Sequence, residues 1–456
     1  MVMPRGVANE KLAVLLEATS WSAADLARAV NALGEARGLR LRYDRTSVAH
    51  WLRGSRPRGP VPDLVAQALS LRAGRLISAE DAGLTHPDRL PGSGRLPPGI
   101  GREGGGGLPV LIALCGQDAN PNQRAALVGI SYLLVPHSPP VWRPDPFHPG
   151  PGGELHASAD QEFLHTMVEL FAGLVSAHGG AYIRSALAAY LADNAARLTS
   201  VPAGENVNPH VLNHCARLVH LLAFMTADSG HHGLADRYYR LALELAREAG
   251  NRAAYAITLR AMSVQALSLG HIHQAHRLAD SAVECAGRND PAVLAFVLAQ
   301  RGHTHAARHN GKGAMADLVD SADAHGRADG HGGAFTAYPE AGIEYRRART
   351  LQVLQRPGEA VLAFQSSVLH RDPGQHRPYA LTQARLAEAL VADGQLEAAC
   401  THWHIFLDHY PHVVGSNEAG RALARMLQHM RSFPRQRQAV ELIERGRASS
   451  ARPPRY

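Results

Sequence analysis

The chain has 456 residues, a net charge of +7, 45% apolar side chains and only 5% aromatic ones. That length holds two or three domains with well-buried cores, and the dominance of Ala and Leu favours close helix packing over a β-rich core. The longest apolar run, Ala125 to Val135, is about half of what a membrane span needs, and Met1 to Leu16 has no signal-like apolar stretch.

Residues 9–84 read as a compact helical domain. Leu12, Leu15 and Leu16 line one face of a first helix, and Ser22 is a good N-cap for a second that runs to about Gly34. Asp44 or Thr46 caps a third helix, which ends at Leu52 before Gly54 and buries Val48, Trp51 and Leu52. Pro60 and Pro62 restart the chain into a fourth helix with Leu64, Val65, Ala68 and Leu69 inward. Between Arg37 and Arg58 there are seven arginines against one acid, Asp44, so a polyanionic partner is favoured for this region.

The stretches WSAADLARAV, RTSVAHWLRGSRPR and VPDLVAQALS resemble the XRE-type helix-turn-helix domain of bacterial regulators. The resemblance implies that the third helix enters the major groove of duplex DNA and that Arg45, Thr46, Ser47 and His50 reach base edges. Arg40, Arg42, Arg53, Ser55, Arg56 and Arg58 are then expected on backbone phosphates, giving affinity with little sequence preference. Two features depart from the family pattern. Ala23 stands where a polar phosphate contact is usual, and the GEARGLRLRYD segment lengthens the connection before the third helix. The arginines of that insertion either replace the missing contact or are simply solvated.

Residues 85–155 are rich in Gly and Pro and read as a linker with one short apolar helix. Gly104–Gly107 is no phosphate loop, since no Lys and Ser/Thr follow it.

Residues 156–447 form nearly continuous amphipathic helix broken by short loops, followed by a basic tail at 448–456. An offset of 40 residues superimposes Gly230 on Gly270, Ala235 on Ala275 and Ala242 on Ala282. The pattern of a turn residue, then a small residue five positions on, recurs at Gln355 and Ala360 and again at Gly394 and Ala399, with a degraded copy near Asn310 to Ala322. Small residues at such positions let antiparallel helices cross closely. LADRYYRLALELA resembles a tetratricopeptide (TPR) repeat, which implies stacked helical pairs with a concave face for a peptide or protein partner, or a dimerisation arm.

The expected fold is therefore all-α: an N-terminal helix-turn-helix bundle and a C-terminal TPR-like α-solenoid. This layout resembles actinobacterial regulators of development and secondary metabolism. It implies a cytoplasmic, homodimeric, DNA-binding transcription regulator with a protein or peptide partner and no membrane contact. The other open reading is an adaptor in which the repeats alone act. No GxSxG, HExxH or paired-carboxylate pattern is present, so no catalytic residue, cofactor or metal site is expected. Cys115, Cys215, Cys285 and Cys400 show no CxxC spacing, which fits a reducing compartment. His305 and His309, four apart, would share a helical face, but no carboxylate or cysteine accompanies them convincingly.

Overall fold

The computed structural model describes residues 9–19, 21–35, 41–57, 61–73, 82–84, 107–134, 159–198, 208–287, 290–328 and 339–450. Among these residues the regular structure is entirely helical, as the sequence leads one to expect, and no helix is long and apolar enough to cross a membrane. The chain divides into two compact units. One comprises Met1–Ser93 with Leu133–Val135, and the other Gly94–Tyr132 with Pro136–Tyr456.

The first unit contains α1 (Glu10–Thr19), α2 (Ala23–Glu35), α3 (Arg45–Leu52) and α4 (Val61–Ala73). Ser22 starts α2 through a reciprocal pair: its N–H donates to Asp25 Oδ2 at 2.9 Å, while the Asp25 N–H donates to Ser22 Oγ at 3.2 Å. Leu12, Leu26, Val30, Val48, Leu64 and Leu69 are fully buried and form the core, with Trp51 packed edge-on against Tyr43. Asn31 fixes the approach to α3, because its side chain bonds both the N–H and the C=O of Tyr43 at 2.9 and 2.8 Å. Asn9 ties the two ends of the unit together by donating to the Ala82 carbonyl at 2.8 Å.

The second unit begins earlier than the expected repeats. The segment read as a linker with one short helix holds two, α5 (Gly107–Ala119) and α6 (Pro121–Val128), and both pack within the repeat unit, on α8 (Gly180–Leu198) and on α10 (His232–Glu248). Leu111, Leu114 and Cys115 are buried there. Glycine and proline around these helices masked a segment whose apolar face belongs to a larger core.

After α7 (Ala159–His178) and α8 the chain is a run of antiparallel hairpins. α8 packs chiefly on α5 and α7 on α9 (Pro209–Asp228), while α9 pairs with α10, and α11 (Arg252–Ser268) with α12 (Ile272–Ala286). α13 (Pro291–Ala307) pairs with α14 (Gly311–Gly326), α15 (Glu340–Val353) with α16 (Pro357–Leu369), and α17 (His376–Ala392) with α18 (Leu396–His409). α19 (Asn417–Met430) and α20 (Arg437–Ser450) close the series.

The repeat signature has a plain backbone cause. Gly230, Gly270 and Gly394 adopt φ of 87°, 84° and 79° at the hairpin turns, and His309 and Gln355 take the same left-handed conformation at 61° and 59°. Five positions after each of these turn residues stands an alanine with no exposed surface: Ala235, Ala275, Ala314, Ala360 and Ala399. A larger side chain there would force the paired helices apart. Serines add a hydrogen bond across several hairpins, as where Ser263 Oγ donates to the Ala275 carbonyl at 2.7 Å. The turn role of His309 also removes it from any shared face with His305, because α13 ends at Ala307.

Candidate functional site

Two regions gather charged side chains that could serve a partner. In the first unit, Asp44 caps α3: Ser47 N–H donates to Asp44 Oδ1 at 2.8 Å, and the Ser47 hydroxyl is placed to satisfy the Asp44 N–H. Those hydrogen bonds hold the Asp44 carboxyl below the usual carboxylate range. One side of α3 buries Val48 and Trp51, and the same register leaves Arg45, Thr46 and His50 exposed. Arg42, Arg53, Ser55 and Arg56 are exposed beside them. Arg53 Nε donates to the Ala49 carbonyl at 3.1 Å, and the residue remains exposed. Of the expected base contacts, Ser47 differs: its hydroxyl also donates to Asp44 Oδ1 at 2.8 Å, so the cap engages it. Arg40 and Arg58 lie outside the described residues.

The second region is the inner face of the repeat unit. α7, α9, α11, α13, α15, α17 and α19 line that face, and α17 packs back on α7. The expected concave groove is thereby ringed into a cavity of about 780 Å³. Asp228 at the end of α9 is the clasp. It accepts hydrogen bonds from Gly180 N–H at 3.1 Å, from Arg377 Nε and Nη2 at 3.0 and 2.7 Å, and from Ser416 Oγ at 2.9 Å. Burial opposes its ionisation, but Arg377 and these donors hold its carboxyl below the usual range. Gly180 is needed at this junction, since a β-carbon there would meet the Met225 Cα at 2.5 Å.

A second buried carboxylate, Asp118 of α5, joins three helices. Arg184 Nη2 donates to both of its oxygens at 2.7 and 2.8 Å, and Tyr238 Oη–H donates at 2.7 Å. It anchors α5 to the repeats and does not line the cavity.

The cavity wall is unequal in character. Val175, Phe224, Ile257, Val264 and Phe296 give the α7–α13 side a largely apolar surface. The α15–α19 side carries Arg346, Arg349, Arg385, Arg421 and Arg425. Arg385 and Arg425 are compensated by Glu388 and Glu418 at 2.7 to 3.2 Å. Arg346, Arg349 and Arg421 have no carboxylate partner among the described residues. Two neighbours report the resulting positive potential. Burial alone would raise the Tyr345 phenol, yet Arg349, Arg385 and Arg346 bring it below the usual tyrosine range. Burial, reinforced by the same three arginines, pushes His303 well below the usual histidine range. The sequence reading missed this arginine set; α15 and α19 each repeat arginine at helical spacing, but only the ring brings them together.

Among the described residues no group of three or more His, Cys, Asp or Glu side chains is arranged to hold a metal ion. All four cysteines are buried thiols, and burial raises Cys115 and Cys215, the latter to about 12.

The hairpin stacking and the aligned turns decide the architecture. The repeat unit is a TPR-like α-solenoid. A family model described as the SP15 N-terminal domain matches residues 12–85, most of the first unit. Among solved structures, a chain of the crystal structure of the APC/C hetero-tetramer Cut9-Hcn1 is similar at 15% identity and a TM-score of 0.34, over 63% of this chain. The similarity spans 47% of the length of that structure's matched chain. No curated protein matches it.

Proposed function

We propose that the chain is a DNA-binding regulator whose TPR-like solenoid supplies a surface for a protein partner or a second copy of the chain. The observation that carries the DNA half is the outward face of α3. Arg45, Thr46 and His50 stand exposed on it, with Arg42, Arg53 and Arg56 alongside, while Val48 and Trp51 anchor the opposite side. A short helix presented in this way fits the major groove, where an arginine near its N-terminus can bond guanine O6 and N7. Exposed arginines around it neutralise phosphates. One such helix reads few base pairs, so the solenoid would pair two heads on half-sites about 34 Å apart. Duplex DNA as the target puts the work of the protein in the cytoplasm.

A second reading, a scaffold that assembles proteins without touching DNA, is favoured by the proportion of the chain given to stacked hairpins, whose repeated faces suit protein segments. Fluorescence anisotropy of the full chain on labelled duplexes across a salt series separates the two. The regulator reading expects binding whose logarithm falls linearly with log salt, by about 0.9 per phosphate neutralised, and a slope reduced by about 1 in Arg56→Gln. Absence of binding to any duplex in dilute buffer would leave only the scaffold.

A further inference from the structure

We propose that the cavity ringed by the solenoid binds a small aromatic polyanion, with its negatively charged groups on Arg346, Arg349 and Arg421 and its ring system on the apolar wall around Phe224 and Phe296. The inference goes beyond DNA or protein binding and depends on neither.

Four observations converge. The volume, about 780 Å³, lies within the roughly 300–1,000 Å³ typical of small-molecule sites. The Asp228, Arg377 and Ser416 cluster, with α17 packed on α7, narrows the concave face into a partly open chamber, and Arg421 in its lining is exposed. Inside it, Arg349 is surrounded by protein yet still reaches water, and burial together with Arg385 and Arg346 weakens its hold on its proton. Like charges held together in a low-dielectric chamber repel one another and cost stability unless an anion joins them. Buried polar atoms in the cavity lining are also unpaired: Arg346 Nε on α15, and both ring nitrogens of His232 at the start of α10, have no partner among the described residues. Guanidinium groups are planar forks suited to phosphate or carboxylate oxygens.

The apolar wall sets the rest of the ligand. Arg260 already lies 3.5 Å over the Phe296 ring, and Arg377 lies 4.7 Å over Phe224, so that wall presents stacked planes. A flat aromatic body extends such a stack. A bare inorganic anion would leave that surface wet.

The probe is pyranine, a fluorescent pyrene carrying three sulfonates, titrated into the full chain and followed by anisotropy. One saturable site per chain is expected. Its affinity should fall at least tenfold in Arg346→Gln/Arg349→Gln and severalfold in Phe296→Ala, and stay unchanged in Arg435→Gln/Arg437→Gln, where two exposed arginines are removed. The thermal midpoint of Arg346→Gln/Arg349→Gln should hold steady or rise, because a repulsion is relieved; a purely structural role predicts a fall. No saturable binding, or binding equally weakened by the Arg435/Arg437 control, overturns the proposal. So does complete displacement of pyranine by hexaglutamate at equal concentration, which would assign the chamber to an acidic peptide. Duplex binding, measured on the same samples, is independent of all these outcomes.

Discussion

In the first unit Arg42, Arg45, Arg53 and Arg56 stand in solvent, whereas in the solenoid Arg346 and Arg349 are part-buried and line the cavity. The same side chain therefore faces two dielectric regimes. Exposed guanidinium groups interact weakly one by one, are screened by salt and suit a long polyanion that engages many of them together. Enclosed ones interact strongly with few partners and suit a compact anion or an internal carboxylate. The solenoid uses both enclosed options: Asp118, Asp228 and Glu388 are each matched by arginine, while the α15 pair is left for a ligand.

The largest expected effect tests the matched side of this contrast. Asp118→Ala strands Arg184 and the Tyr238 hydroxyl in a buried site, and should destabilise the solenoid by about 3–5 kcal/mol in urea unfolding. Duplex binding by the first unit should survive at temperatures where the variant solenoid still folds. Loss of less than about 1 kcal/mol would mean that the Asp118 cluster is no keystone.

Acid should separate the units next. Burial, with a smaller push from Arg260, lowers His220 to about 3 from its ordinary 6.5. Its folded value is depressed, so its contribution is fully present above pH 6.5 and is lost as pH falls towards 3. At pH 5 the loss is about 2 kcal/mol. Urea midpoints at pH 7.5 and 5.0 should differ less in His220→Phe than in the parent chain. His214, half-buried and lowered to about 4, adds to the same trend.

A change of similar or smaller size addresses the exposed arginines. Arg45→Ala should relax the preference for one base position at a cost of about 1–3 kcal/mol, read from selected duplexes, with little change on unselected DNA. An unchanged preference would show that the docking register of α3 is different. The smallest effect concerns the α3 cap: Asp44→Ala should lower the thermal midpoint of the first unit slightly, and an unchanged midpoint would show that the cap contributes nothing to its stability.

Local features were legible in the sequence wherever their cause is local. Ser22, and Asp44 with Thr46 as its alternative, announce helix starts because capping needs only a side chain and the next three residues; the structure selects Asp44. Gly230, Gly270 and Gly394, each five residues before a buried alanine, mark the hairpins because a left-handed turn and a close crossing each select the residue in place. Gln355 carries the same turn without a glycine, and it was its alanine partner that gave it away. The exposure of Arg45 and His50 also followed from the register that buries Trp51.

Other features needed the folded chain. Ser47 sits at a base-reading position by pattern, yet its hydroxyl faces Asp44, a choice made by a hydrogen bond. Residues 107–128 look like linker because their burial depends on α8 and α10, which lie far along the chain. The cavity depends on residues further apart still: Asp228 meets Arg377 and Ser416 only once the hairpins have accumulated enough curvature to bring α17 onto α7. Periodicity specifies each hairpin, but the angle between successive hairpins comes from side-chain packing summed over the whole stack. Composition and spacing thus determined an all-helical chain of repeats behind a basic helical head. Tertiary packing decided that the repeats form a ring, and that ring is what turns scattered arginines into a single charged chamber.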